Sequence, residues 1–209
     1  TLSLELILTR VFDVILTSNI SYTIITCAML SFGLAGVYST LNPVKDNRNI
    51  TNYITKLLWM LMLSIIIIRP AINFLALRYI EYPEFSSLLL KAMLKIGPFL
   101  LIYFVLMVPF FLSGLILITI FSHFSASIHR LYFYDLLGAS IGCIIFIPIL
   151  PLFGPGGLLY FISATVFILL AVNLKNKKHT LCFSALAIFL FLFPFYYLPR
   201  VYEFSEILD

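Results

Sequence analysis

Five ionisable residues stand inside stretches that are otherwise almost wholly apolar: Glu5, Arg10 and Asp13 near the start, Arg69 in the first half and Asp135 in the second. In hydrocarbon such a charge costs roughly 2.5 to 3.5 kcal/mol on insertion scales, so each needs a partner, a water-filled cavity or the interface. Carboxylates and guanidiniums at that depth can pair, relay protons or hold a polar ligand, and the five together define a candidate intramembrane polar network. Arg10 and Asp13, three residues apart, share a helical face with Glu5 and Thr9 beside it. They read either as the interfacial end of a helix whose charges touch water or as a polar seam turned to a bundle interior. Arg69 likewise reads in two ways, as the positive partner of Asp135 or Glu5, or as a side chain snorkelling to an interface where its span ends early.

Other chemistry is poorly served. His123 and His129 lie six apart without nearby carboxylates or cysteines, so they read as loop residues and no metal site is expected. Cys27, Cys143 and Cys182 sit singly in apolar segments, as small packing residues do. Gly154-Pro-Gly-Gly157 lacks the lysine and the strand of a phosphate-binding loop and predicts a tight turn between helices. No catalytic residue and no cofactor are expected from these residues.

The elements that position these charges follow from composition. The chain is 62% hydrophobic and 11% charged, where a soluble domain carries about 25% charged residues. We expect an all-α fold, a polytopic transmembrane bundle of about seven spans over residues 1–199, with 200–209 as a charged tail or the start of a linker. Its spans are predicted at Leu2–Leu16 (incomplete), Ser21–Leu41, Leu57–Leu77, Gly97–Phe121, Leu131–Phe153, Leu158–Leu174 and Leu181–Leu198. Arg78 to Lys95 predicts a connection with a short surface helix, Pro70 a break in the third span, and Pro109 followed by Ser113-Gly114 a kink in the fourth. Thr1 is no initiator, so the chain is expected to begin inside a longer one.

The net charge of +4 comes from short basic loops, which points to membrane topology and away from nucleic acid. Lys45, Arg48, Lys56, Arg130, Lys175, Lys177 and Lys178 follow the even-numbered spans, and the positive-inside rule puts them in the cytoplasm. Seven spans would then leave the C-terminus outside, which conflicts with a cytosolic domain attached there. The expected partners are the lipid bilayer and, through small-residue faces, other membrane subunits or a second copy of the chain. Two such faces stand out at about 100° per residue: Ala28, Ser31 and Ala35, continued by Ser39, and Gly138, Ala139 and Gly142, which share a side with Asp135. Small residues let helix backbones approach closely, so the two faces are expected to pack on one another.

Two stretches carry a resemblance. Glu5-Leu-Ile-Leu-Thr-Arg-Val-Phe12, followed by Ser21-Tyr22 and Ala28-Met-Leu-Ser-Phe-Gly-Leu-Ala-Gly36, resembles the opening of the membrane-embedded spermidine synthase-like proteins of bacteria. Pro109-Phe-Phe-Leu-Ser-Gly114, with Arg130-Leu-Tyr-Phe-Tyr-Asp-Leu-Leu-Gly-Ala-Ser-Ile-Gly142, is similar to their later membrane signature. The resemblance covers the chain from near Glu5 to about Ala171. It implies a multi-pass protein of the bacterial inner membrane whose helical half precedes a soluble Rossmann-like aminopropyl- or methyltransferase half. That second half is not in these residues, and no catalytic residue carries over. Two other classes compete: a transporter-like bundle using the polar network, and a structural subunit of a larger membrane complex.

Overall fold

A computed structural model describes residues 4–9, 18–42, 50–80 and 88–173, and nearly all of them are helical. The elements are α1 (residues 4–9), α2 (Ser18–Leu41), α3 (Ile50–Ile80), α4 (Leu88–His123), a short 3-10 turn (Ser125–Ser127) and α5 (Ile128–Asn173). Among the described residues three stretches are long and apolar enough to cross a membrane, Tyr22–Leu41, Ile50–Ile68 and Leu100–His123. The outward faces of these helices are as apolar as the inward ones, since Met29, Leu41, Leu63, Ile67 and Phe104 are all exposed. In water that surface would be a severe liability; in a bilayer it faces lipid.

Two packed clusters fix the arrangement. The first joins Leu4, Ile7 and Leu8 of α1 to Ile24, Cys27 and Ala28 of α2, Ile68 of α3, and Ile102, Leu106 and Phe110 of α4. In the second, Ala35 of α2, Leu57 to Ile65 of α3, Leu112 and Leu115 of α4, and Val166, Phe167 and Leu170 of α5 come together. Along α2 and α4 the numbers rise together from one cluster to the other, and along α3 they fall. Therefore α2 and α4 are parallel, with α3 antiparallel between them in the chain. Ile162 touches both clusters while Val166 to Leu170 belong to the second, so the last part of α5 runs in the direction of α2 and α4. We call the end of the bundle beyond the second cluster the near end, and the opposite one the far end.

The helices run longer than the sequence predicts. α3 continues through Pro70 to Ile80, and α4 begins at Leu88, so Arg78 and Lys91 belong to these helices rather than to a separate surface helix. A proline forfeits one ladder bond, whereas ending the helix would leave several backbone groups to satisfy, and the low-dielectric environment favours the smaller loss. The apolar stretch of α3 nevertheless ends at Ile68, one residue before Arg69. The predicted fifth and sixth spans fall on the one helix α5, which passes through Gly154-Pro-Gly-Gly157 where a tight turn was expected. None of these glycines opposes helical φ and ψ. The seventh span, Leu181–Leu198, and the tail 200–209 lie outside the described residues, as does most of the first span.

Chain geometry also shows that α5 is bent. A straight helix would separate Ile128 from Phe167 by about 58 Å. Ile128 follows His123 by five residues, at most about 18 Å. Phe167 meets Trp59 edge to face with ring centroids 6.5 Å apart. Trp59 packs on the cluster that holds Leu112 of α4, about 17 Å back from His123 along the helix, and each step between neighbouring axes is about 10 Å. Even laid end to end these distances fall short of the straight helix. Between the two ends stand Pro148, Pro151 and Pro155, each without an N–H to donate, which is where a helix bends.

Among the described glycines it is Gly114 in α4 that is closely packed. A Cβ there would come within 2.9 Å of Phe32 Cδ1 and 3.0 Å of Ala35 Cβ on α2, while one at Gly36 would meet nothing within 4 Å. The Phe32 ring can turn away, but Ala35 Cβ is fixed to its backbone, so the helices must part to admit a methyl group. Gly114→Ala is expected to cost about 1 to 3 kcal/mol, read as a fall of roughly 2 to 4 °C in unfolding temperature per kcal/mol in detergent. Gly36→Ala, which fills open space and raises helix propensity, is expected to stabilise by up to about 1 kcal/mol.

Candidate functional site

The small-residue face of α2 is the part of the predicted site that the structure buries. Ala28 is 3% exposed, and Ser31 and Ala35 are 0% exposed. They are placed by the spacing that the sequence shows, since 28, 31 and 35 return to one side of a helix every turn or so. Their counterpart is α4, at Tyr103 and Gly114. The Cys27 thiol donates to the Tyr103 carbonyl at 3.6 Å, across the two helices. Ser31 Oγ donates at 2.6 Å to the Cys27 carbonyl one turn back in its own helix.

The second predicted face is not brought to the first. Gly138 is exposed with nothing within 4 Å of an added Cβ, and Ala139 and Gly142 are half-buried. Around them Tyr132, Phe133, Tyr134, Leu136, Leu137, Ile141, Ile144 and Ile145 are exposed on every side of α5. The counterpart that sequence reasoning missed is Gly114. Its signal was present as Ser113-Gly114 one turn after Pro109, but the pair reads as a kink until α2 is known to run beside it. Pro109 itself is fully buried, and Ser113 Oγ donates to the Phe110 carbonyl at 2.9 Å.

Of the candidate charges, Glu5 and Asp135 have side chains among the described residues. Glu5 is half-buried on α1 beside the first cluster, with Thr9 Oγ1 donating to its backbone carbonyl at 2.7 Å. Asp135 is exposed near the start of α5, which follows the near end of α4, so Glu5 and Asp135 are set toward opposite ends of the bundle. Arg10 and Asp13 lie outside the described residues, and Arg69 is described only as a backbone position in α3. Among the described residues no group of three or more His, Cys, Asp and Glu is arranged to hold a metal ion.

The buried hydroxyls are turned inward on their own helices. Ser64 Oγ donates to the Leu61 carbonyl at 2.6 Å and Thr119 Oγ1 to the Leu115 carbonyl at 2.7 Å, in the manner of Ser31 and Ser113. Every buried side-chain nitrogen or oxygen among the described residues has a hydrogen-bond partner. Among the described residues the interior is a contact between helices whose buried polar groups are small and already hydrogen-bonded.

Comparison with protein families, with curated proteins and with solved structures finds no match to this chain.

The contrast between the two faces is testable. Ala35→Leu, which forces an isobutyl group between α2 and α4, is expected to lower stability by about 1 to 3 kcal/mol or to prevent folding. Gly138→Leu, at an open position, is expected to change it by no more than about 0.5 kcal/mol. Thermal unfolding of both variants in the same detergent, followed by circular dichroism, measures the difference.

Proposed function

We propose that this chain is the membrane module of a larger protein or assembly, holding a functional partner at the bilayer rather than carrying the chemistry in its own interior. The observation behind this is the use made of its buried polar groups: Ser31, Ser64, Ser113 and Thr119 each close on a carbonyl of their own helix. Such an interior spends its polar groups on helix packing. The finer reading is that of the membrane half of a spermidine synthase-like protein in the bacterial inner membrane, with about seven spans. It rests on the motif-like stretches Glu5–Phe12, Ala28–Gly36, Pro109–Gly114 and Arg130–Gly142. In that reading the aminopropyl- or methyltransferase half lies outside these residues, and the helical half anchors it and feeds it substrate. A structural subunit of a membrane complex uses the same features without a transferase.

Two measurements separate these. Isolated in mild detergent from its native membrane, the chain is expected to run as a polypeptide heavier than 23.8 kDa by a domain's worth, on the order of 25 kDa, or to bring down a stoichiometric transferase. A lone 23.8 kDa species without a partner sinks the anchoring role. The purified residues 1–209 are expected to show no turnover of a polyamine with a decarboxylated adenosylmethionine donor; turnover there would place the chemistry within the bundle.

A further inference from the structure

Two faces that the described residues leave open match each other. On α3, Lys56, Met60, Leu63 and Ile67 are all exposed. Their spacing of four, three and four keeps them on one narrow side of the helix, a bulky ridge headed by an ammonium group. Leu57, Leu61 and Ile65 of the same helix are buried in the second cluster, so the ridge is turned outward. On α5, Asp135, Gly138, Ala139 and Gly142 share a side, a groove of small residues headed by a carboxylate. Asp135 and Gly138 are exposed, and nothing lies within 4 Å of a Cβ added at Gly138. α5 meets α3 only further on, through Val166, Phe167 and Leu170.

Register, direction and depth agree. Met60 and Leu63 follow Lys56 by four and seven residues, as Ala139 and Gly142 follow Asp135. Laid side by side in parallel, the ridge therefore meets the groove and the ammonium meets the carboxylate. α3 starts at the near end, and α5 starts there too, soon after α4 ends. α5 must descend before it returns, because Ile162 reaches the first cluster while Phe167 and Leu170 belong to the second. Lys56 is six residues into α3 and Asp135 seven into α5, so each lies about 10 Å along its helix.

Among the described residues neither side chain has a hydrogen bond or an ion pair. Acyl chains cover the α3 ridge as well as a helix would, but they leave a carboxylate uncompensated. A lysine stem carries its ammonium back toward the interface, and an aspartate has no such reach. What covers the α5 groove must therefore bring a cation to the depth of Asp135. A second copy of the chain does so, since copies inserted in the same orientation present α3 and the first part of α5 in parallel. We infer that the chain self-associates head to tail, the Lys56–Met60–Leu63 ridge of one copy seated in the Asp135–Gly138–Gly142 groove of the next. The two surfaces differ, so the contact is heterologous and repeats from copy to copy. This inference is independent of what the module anchors.

To test it, the full chain would be labelled with a donor or an acceptor fluorophore on a C-terminal tag and both populations reconstituted in phosphatidylcholine vesicles at a low protein-to-lipid ratio. Wild-type copies are expected to transfer energy. Lys56→Asp alone and Asp135→Lys alone are each expected to weaken association about tenfold or more, because like charges then meet. An equal mixture of the two variants is expected to recover it, since the exchanged charges face each other between copies. Gly138→Leu fills the groove and is expected to abolish transfer. All three positions are exposed, and an unchanged circular dichroism spectrum confirms that each variant folds. Absence of transfer between wild-type copies overturns the inference, and so does transfer that survives both single exchanges. Recovery seen only when both exchanges are made in one chain, and not in the mixture, places the pair within a single copy and overturns it as well.

Discussion

The close approach of α2 and α4 at Ala35 and Gly114 is the contact on which the rest is built. Lipid tails are as apolar as leucine, so helices in a bilayer gain little from mere burial, and their association depends on how near the backbones can come. Here a missing Cβ on α4 accepts Phe32 and Ala35 from α2. That approach lays the two helices side by side and parallel, with a thiol-to-carbonyl contact from Cys27 to Tyr103 further along. α3 packs in turn on α4, and its residues from Leu57 to Ile65 meet the last turns of α5.

Hydrogen bonding constrains what such an interior can be. A hydroxyl buried between helices must find an acceptor, and the nearest is always a carbonyl three or four residues back on its own helix. Ser31, Ser64, Ser113 and Thr119 all take it. They are small enough to keep the helices close, and each has its hydroxyl proton already donated within its own helix. The same constraint explains the uninterrupted helix through Pro70, since losing one ladder bond costs less in hydrocarbon than exposing a helix end.

α5 divides the molecule's surface into two kinds. Its last turns belong to the second cluster, while its first turns expose tyrosine, phenylalanine, leucine and isoleucine in all directions. The bend between them follows from chain length and from three prolines in eight residues, Pro148 to Pro155.

The sequence by itself determined the chemistry of the chain's surroundings and the local periodicity. Long, continuous apolar segments favour helices in a bilayer, where each segment satisfies its own backbone, and the recurrence of Ala28, Ser31 and Ala35 marks the side of α2 that packs. These are properties of single segments, and a hydropathy pattern or a 3.6-residue period displays them directly. Which face meets which was decided only by the tertiary structure. The Gly138 face and the Gly114 position are both small and follow similar patterns, yet Gly114 is filled and Gly138 is open. The difference depends on the direction and register of α2 against α4, a relation between residues some eighty positions apart that no local spacing encodes. The course of α5 is of the same kind, since Gly154-Pro-Gly-Gly157 suits a turn or a bent helix equally well until the packing of Phe167 on Trp59 fixes where the helix must end.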